Sequence, residues 1–361
     1  MSLVPTAGRS LRAAALIAAL CLYAAEAVPA RGMTPRDLLR TVAQFTEIEW
    51  AAVERGEAVA KVLDTDTREV AVAGAVRIAG TREQLLTRSR DLEVLKRSAA
   101  VLDASPFSAP PTPADLQRVT FDDHNLDLRN CRPGDCPVRL SAGDVGRFHR
   151  EVNWSGGDWR RESASVWRDV LAKYAAAYQT SGRKALPDYV NKREALSVAS
   201  EVSLLASEYG FVSSYSPELA LYLRDFGANP PPGALHMLYW TKEDFGVRQI
   251  FRISHQVICQ VAGPTPSTLI ATNQVYADHY LDAALTVTIA LEAAALADKP
   301  TRGPAVAPAG DFYMISISRA RTRSLSGLMR RLVRSTVQGR SREMIRRVLL
   351  STKTAIENGQ R

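Results

Sequence analysis

The chain has 361 residues, of which 46 are Lys or Arg and 38 are Asp or Glu, for a formal charge of +8. At 46% hydrophobic and 23% charged it is too apolar for a disordered chain, and four cysteines are too few for a disulfide-dense scaffold. Twelve basic residues against only Glu343 and Glu357 fall in 319–361, so the preceding stretch is slightly acidic and the basicity belongs to one terminal segment.

Residues 1–12 hold Arg9 and Arg12 and no acid, 13–25 are almost wholly apolar, and Ala25-Glu26-Ala27 places small residues around a cleavage point after Ala27. This is the pattern of a secretory signal peptide, and its apolar run falls short of the roughly 20 residues that span a bilayer. The expectation is a signal peptide over 1–27 and a periplasmic protein of mature charge +7. Export makes disulfides available. Cys131-Arg-Pro-Gly-Asp-Cys136 brings two cysteines together around a Pro-Gly turn and predicts a structural disulfide. The spacing is not that of a redox C-x-x-C pair. No second cysteine pair or spaced histidine completes a zinc site, so neither metal nor cofactor is expected. Cys259 reads as a small buried hydrophobe.

In chain order, Thr34-Pro35-Arg36-Asp37 opens a helix carrying Leu38, Leu39, Val42 and Phe45 at helical spacing. Residues 57–63 and 69–78 alternate and predict a hairpin across 64–67. A helix is read from 80 to about 99, and 104–115, with four prolines, is read as a loop. Helices follow over 141–152, over 162–179 with the stripe Val166, Val170, Leu171, Tyr174 and Tyr178, over 195–209, and from the Ser216-Pro217-Glu218 cap through 226. Asn229-Pro230-Pro231-Pro232-Gly233 is a hard break. It divides a mainly helical region, 112–232, from 233–361, with 28–111 as the N-terminal unit; 28–361 as one domain is the alternative. Beyond the break the period changes to two: strands over 236–240, 248–261, 269–280, 283–291 and 312–318, a loop over 298–310, then a helix over 324–357 with a break near Gly339.

Alternation puts Phe251, Ile253, His255, Val257 and Cys259 on one strand face, and Val275, Ala277, His279 and Leu281 on one face of the next. Both histidines then point to the apolar side. With His255 opposite Val275 and His279 opposite Phe251, they stand about 13 Å apart, too far to share a metal. A histidine so placed is either a core group bonded to a neighbour or a polar anchor in a ligand cavity, with Phe251, Tyr239 and Trp240 as aromatic wall. The opposite face, Tyr276, Asp278, Tyr280 and Asp282, is the densest polar cluster. Its two carboxylates, Asp278 and Asp282, are four residues apart on the strand, about 13 Å, and are read as candidates for acid–base work and equally as part of a solvated face. Trp154-Ser155-Gly156-Gly157-Asp158-Trp159 reads as an aromatic-flanked turn. No phosphate-binding loop, dinucleotide fingerprint, zinc-protease motif or serine elbow is present.

The terminal helix carries an apolar stripe of Leu325, Leu328, Met329, Leu332, Val333 and Thr336, resumed by Ile345, Val348, Leu349, Thr352 and Ile356. Arg330, Arg331, Arg334, Arg340, Arg342, Arg346 and Arg347 mostly lie off it. Such a helix suits an anionic membrane surface or a packed helix with a solvated basic face; export argues against nucleic acid.

The segment Val70-Ala71-Val72-Ala73-Gly74-Ala75-Val76-Arg77-Ile78-Ala79-Gly80-Thr81-Arg82-Glu83, the strands of 248–291 and 312–318 and the helix of 324–357 together resemble the START-like, or helix-grip, superfamily. The resemblance implies a sheet wrapped around a C-terminal helix, with an apolar cavity between them. Segments 131–140, 239–246 and 273–282 are similar to those of an uncharacterised family of exported bacterial proteins. The expectation is an α+β protein: an antiparallel sheet packed on a long C-terminal helix, with a large helical insertion. Its expected activity is non-catalytic binding or carriage of an apolar or lipid-like ligand. The alternatives are a hydrolase or lyase using Asp278, His279 and Asp282, and a structural envelope protein contacting anionic membrane.

Overall fold

A computed structural model describes residues 32–96, 100–191, 194–227, 229–244, 248–293, 310–323 and 330–359. The signal predicted over 1–27, nearly all of the loop predicted over 298–310, and the stripe positions Leu325, Leu328 and Met329 lie outside the described residues. So do the side chains of Arg330, Arg331, Leu332 and Val333.

Two short helices, Pro35–Thr41 (α1) and Glu47–Glu54 (α2), start on threonine caps, Thr34 and Thr46, whose hydroxyls take the N–H of Asp37 and Glu49. The expected hairpin is Val59–Leu63 (β1) with Glu69–Ala79 (β2). In place of one helix to 99, Arg82–Ser89 (α3) ends and Leu92–Lys96 (α4) restarts, because the Asp91 carboxylate takes the N–H of Glu93 and caps a new turn. The proline-rich loop hides a strand, Val101–Pro106 (β3), paired with the segment Tyr239–Glu243. It is an edge strand, where a proline removes no needed ladder bond.

Asp123–Leu126 (α5), Ala142–Glu151 (α6) and Trp159–Ser181 (α7) follow. In α7 the residues Val166, Trp167, Val170, Leu171, Ala175 and Tyr178 are buried along one side, and Gly182, at φ 59°, ends it. The insertion is not wholly helical. A small separate hairpin, Asp188–Asn191 (β4) and Glu194–Ser197 (β5), precedes Val198–Ser207 (α8) and Pro217–Asp225 (α9). The Ser216 hydroxyl caps α9 by accepting the N–H of Leu219. Then come Leu235–Asp244 (β6), Gln249–Val261 (β7), Ser267–Ala277 (β8), Ala283–Glu292 (β9), Asp311–Arg321 (β10) and Arg330–Asn358 (α10). The last helix runs through Gly339 without the expected break.

Eight of these strands form one antiparallel sheet in the order β1-β2-β10-β9-β8-β7-β6-β3. The chain leaves β2, crosses to the far edge through α3 and α4, and the β6–β10 meander returns it to β2. One face carries Ile253, Val257 and Cys259 against the helical insertion, in a single apolar cluster that also takes in α7, α8 and α9. The cluster spans both sides of the proline break at 229–233. The other face, with Ile258, Ile270, Ala290, Phe312 and Met314, shares a second cluster with Leu349 and Ile356 of α10. The helix lies along β1 and β2. It comes so close that a Cβ on Gly74 would stand 2.6 Å from Ile345 Cγ2 and 2.8 Å from Leu349 Cδ1. Glycine is required there by proximity. Val348, read as part of the apolar stripe, is instead 40% exposed.

A buried ionic seam joins the helical insertion to the sheet edge. Arg321 of β10 binds Glu201 of α8 at 2.6 Å and Glu69 of β2 at 3.4 Å, Arg319 binds Glu69 at 2.5 Å, and Arg68 binds Glu201 at 2.5 Å. Burial pushes the Glu201 carboxyl up, but hydrogen bonds from Arg321 and Arg68 more than offset it and leave the group below its ordinary value.

Candidate functional site

The pairing of β7 with β8 differs from the simple alternation in one place, and that place decides the polar cluster. Arg252 pairs with Ala277 and Ile253 with Tyr276, but Ser254 pairs with Gln274, so Val275 is a bulge. One extra residue reverses the alternation beyond it. On the turn side of the bulge the register runs unbroken from Val261 and Ser267, which sets His255 opposite Asn273 rather than Val275. Tyr276 turns inward, its ring 5.7 Å from Tyr174 and 6.4 Å from Phe251, and its hydroxyl donates to the Arg139 carbonyl.

Of the four residues expected on one face, Tyr276, Asp278 and Asp282 all bond to Arg139 of the insertion, and Tyr280 stands apart. Asp278, 3% exposed, accepts the Phe251 N–H and the Asn125 amide, each at 3.0 Å. Asp282, 1% exposed, accepts Arg139 at 2.5 Å and the Arg323 N–H at 2.7 Å. Burial raises the Asp282 carboxyl, and Arg139 only partly offsets it. Tyr280 stands partly exposed at a φ of 57°. Both carboxylates thus have each oxygen engaged, and they tie β7, β8 and β10 to the insertion. His279 Nε2 accepts from Arg248 at 3.2 Å, while its Nδ1 lies 2.9 Å from Asp278 Oδ1 but off the line of a hydrogen bond. Its ring stacks on His124 at 5.9 Å.

His255 lies in the middle of β7, on the side of the helical insertion, away from α10. Three elements converge on it. Tyr178, in the last turns of α7, and Tyr222, in α9, each place a hydroxyl 3.2 Å from His255 Nδ1. Asn273 of β8 donates to the Tyr178 oxygen at 3.4 Å, and its own carbonyl oxygen is buried without a partner. His236 of β6 stands edge-on to the His255 ring at 5.6 Å. Burial, with a smaller contribution from His236, pushes the His255 imidazole down to about 3. It is therefore neutral at physiological pH. No protein group among the described residues hydrogen-bonds its Nε2.

His255 borders a cleft of 210 Å³ at the sheet edge, where β6 extends past β3. Phe107, Ala109 and Leu238 supply apolar wall; Ser108, Gln179 and His236 supply polar groups, and among the described residues no Asp, Glu, Lys or Arg lines it. A second cleft of 260 Å³ lies across β6, bordered by Arg90, Gln256 and Ile258, with His236 and Met237 common to both.

Among the expected cavity residues, His255 alone borders either cleft. Phe251 and Trp240 stack on each other at 6.0 Å in the core, and the Trp240 indole donates to the Asp115 carbonyl. Tyr239 is buried on the opposite face, paired across the strands with Ser254. His279 belongs to the Asp278 cluster. The groups that complete the His255 site, Tyr178, Tyr222, His236 and Asn273, come from four different elements. His236 was detectable, since it lies two positions before Leu238 on an alternating strand. Of the terminal arginines, Arg342, Arg346 and Arg347 are exposed, with Arg347 paired to Glu343 at 3.0 Å. Arg334 instead donates to the backbone oxygens of Thr65 and Asp66.

The expected disulfide joins Cys131 and Cys136, with Cα atoms 4.6 Å apart. Cys259 is free and buried, its thiol pushed up to about 11 by burial. Among the described residues no cluster of ligating side chains could hold a metal, and no helix is long and apolar enough to cross a membrane. Compared with known protein families, with characterised proteins and with solved structures, the chain finds no match.

Proposed function

We propose that the protein is a non-catalytic binding or carrier protein, and that its ligand enters the cleft over His255. The observation that carries this reading is a buried, neutral imidazole with one nitrogen held by tyrosines and the other without a protein partner at a largely apolar opening. Burying an unpaired charge in such a place is costly, which favours a neutral ligand. The volume admits a small molecule or the neutral end of a longer, lipid-like one. Catalysis is disfavoured because an imidazole near 3 does not exchange protons at neutral pH. The carboxylates of Asp278 and Asp282 are engaged in structural hydrogen bonds.

The export signal read in 1–27 supports a periplasmic location for this binding. The START-like resemblance is supported by the broad antiparallel sheet and the terminal helix lying on it. The cleft, however, opens on the sheet face opposite α10. A second reading, contact of α10 with an anionic membrane, is favoured by the exposed guanidinium groups of Arg342, Arg346 and Arg347. Screening neutral fragments by NMR tests the main reading. Binders whose shifts cluster on Tyr178, His236 and His255, and which are lost in Leu238→Trp, support it. An absence of binders, or binders that cluster beneath α10, would overturn it.

A further inference from the structure

We propose that the cleft selects ligands bearing an acceptor oxygen, such as a ketone, ester or ether, on an apolar body, and that the Nε2–H of His255 receives that oxygen. This rests on the binding reading above and makes it chemically specific.

The protons around Nδ1 fix the tautomer. Around Nδ1 stand two phenolic hydroxyls and, one bond further, the Asn273 amide. With Nδ1 unprotonated, Tyr178 and Tyr222 both donate to Nδ1, and Asn273 donates to the Tyr178 oxygen. Every donor finds an acceptor. With Nδ1 protonated, the same space holds one more donor and one fewer acceptor, and a donor is left over: a phenolic proton, or the Asn273 NH2 where that amide turns its unpartnered Oδ1 towards Tyr178. Buried donors without acceptors are strongly selected against. The hydroxyls therefore hold the neutral ring as the Nε2–H tautomer. His255 is 7% exposed and borders the cleft; with Nδ1 covered by the two hydroxyls, Nε2 is the nitrogen left for a ligand. The site thus presents a fixed donor in an apolar setting, where an acceptor gains a hydrogen bond and a hydrocarbon leaves the N–H unsatisfied.

The test uses the full mature chain labelled with ¹⁵N at histidine. Long-range nitrogen–proton correlation is expected to show a pyridine-type Nδ1 and a pyrrole-type Nε2 for His255 before any ligand is added. Titration with cyclohexanone and with methylenecyclohexane, matched in shape, is then expected to give about five- to tenfold tighter binding of the ketone, the worth of one hydrogen bond. In Y178F/Y222F, which releases the tautomer, that preference is expected to shrink. A protonated Nδ1 in the wild type, or equal affinity for the two probes, overturns the acceptor assignment and leaves the cleft standing as a binding site. Failure of both probes to shift Tyr178, His236 and His255 overturns the binding reading itself.

Discussion

Acidification tests the His255 environment directly. The ordinary histidine value is 6.5, and burial moves this one to about 3. Between those values the unfolded chain binds a proton that the folded chain refuses. Stability is therefore fully present above about pH 6.5 and falls as pH drops towards 3. Each unit of pH within the window is worth about 1.4 kcal/mol, so the difference between pH 7 and pH 5 comes to about 2 kcal/mol. Guanidinium unfolding of the wild type and of His255→Gln at both pH values measures it, because the carboxylates and the other histidines titrate in both proteins. The wild type is expected to lose about 2 kcal/mol more than the variant on going to pH 5. Parallel losses would mean that His255 is protonated or solvated in the folded state, and the cleft argument would fail with it.

Three further outcomes follow from the packing. Replacing Cys131 and Cys136 by alanine is expected to lower stability by about 2 kcal/mol, the loop-closure worth of so short a ring; a reductant should reproduce the loss in the wild type and do nothing to the variant. Arg321→Met leaves Glu201 and Glu69 buried beside fewer positive charges, and breaking such a network costs about 3–5 kcal/mol. A change below 1 kcal/mol in urea unfolding would show the seam to be solvated. Gly74→Ala drives a methyl into Ile345 and Leu349. The expected cost is about 1–3 kcal/mol, with faster amide exchange along 345–356; an unchanged midpoint would place α10 further from β2.

The long elements were legible because their periods are long. The α7 stripe, the β1–β2 hairpin and the β7–β10 strands all have uninterrupted patterns that only one secondary structure satisfies. The inward direction of His255 was legible for the same reason. Its partners were not, since Tyr178 and Tyr222 lie 77 and 33 residues away and no local pattern links a helix hydroxyl to a strand imidazole. The bulge at Val275 was hidden because no glycine or proline marks it, and that single residue converted an expected polar face into buried structural hydrogen bonds. β3 was concealed by its own composition: an edge strand tolerates the prolines that argue for a loop.

The charge distribution acquires a different meaning once the strands are in place. Arg319 and Arg321 read as the start of a basic tail, yet they close β10 and pair with Glu69 and Glu201, 250 and 120 residues away. Arg334 is likewise turned onto the β1–β2 connection. The exposed excess therefore narrows to the outer side of α10, around Arg342, Arg346 and Arg347. That surface and the His255 cleft lie on opposite faces of the sheet, because His255 alternates with Ile258 and its face belongs to the helical insertion. An anionic surface met by α10 would leave the cleft open to solvent. Binding at His255 and any electrostatic contact at α10 should thus be separable: raising salt is expected to weaken the second by screening and to leave the first, which has no charged wall, unchanged.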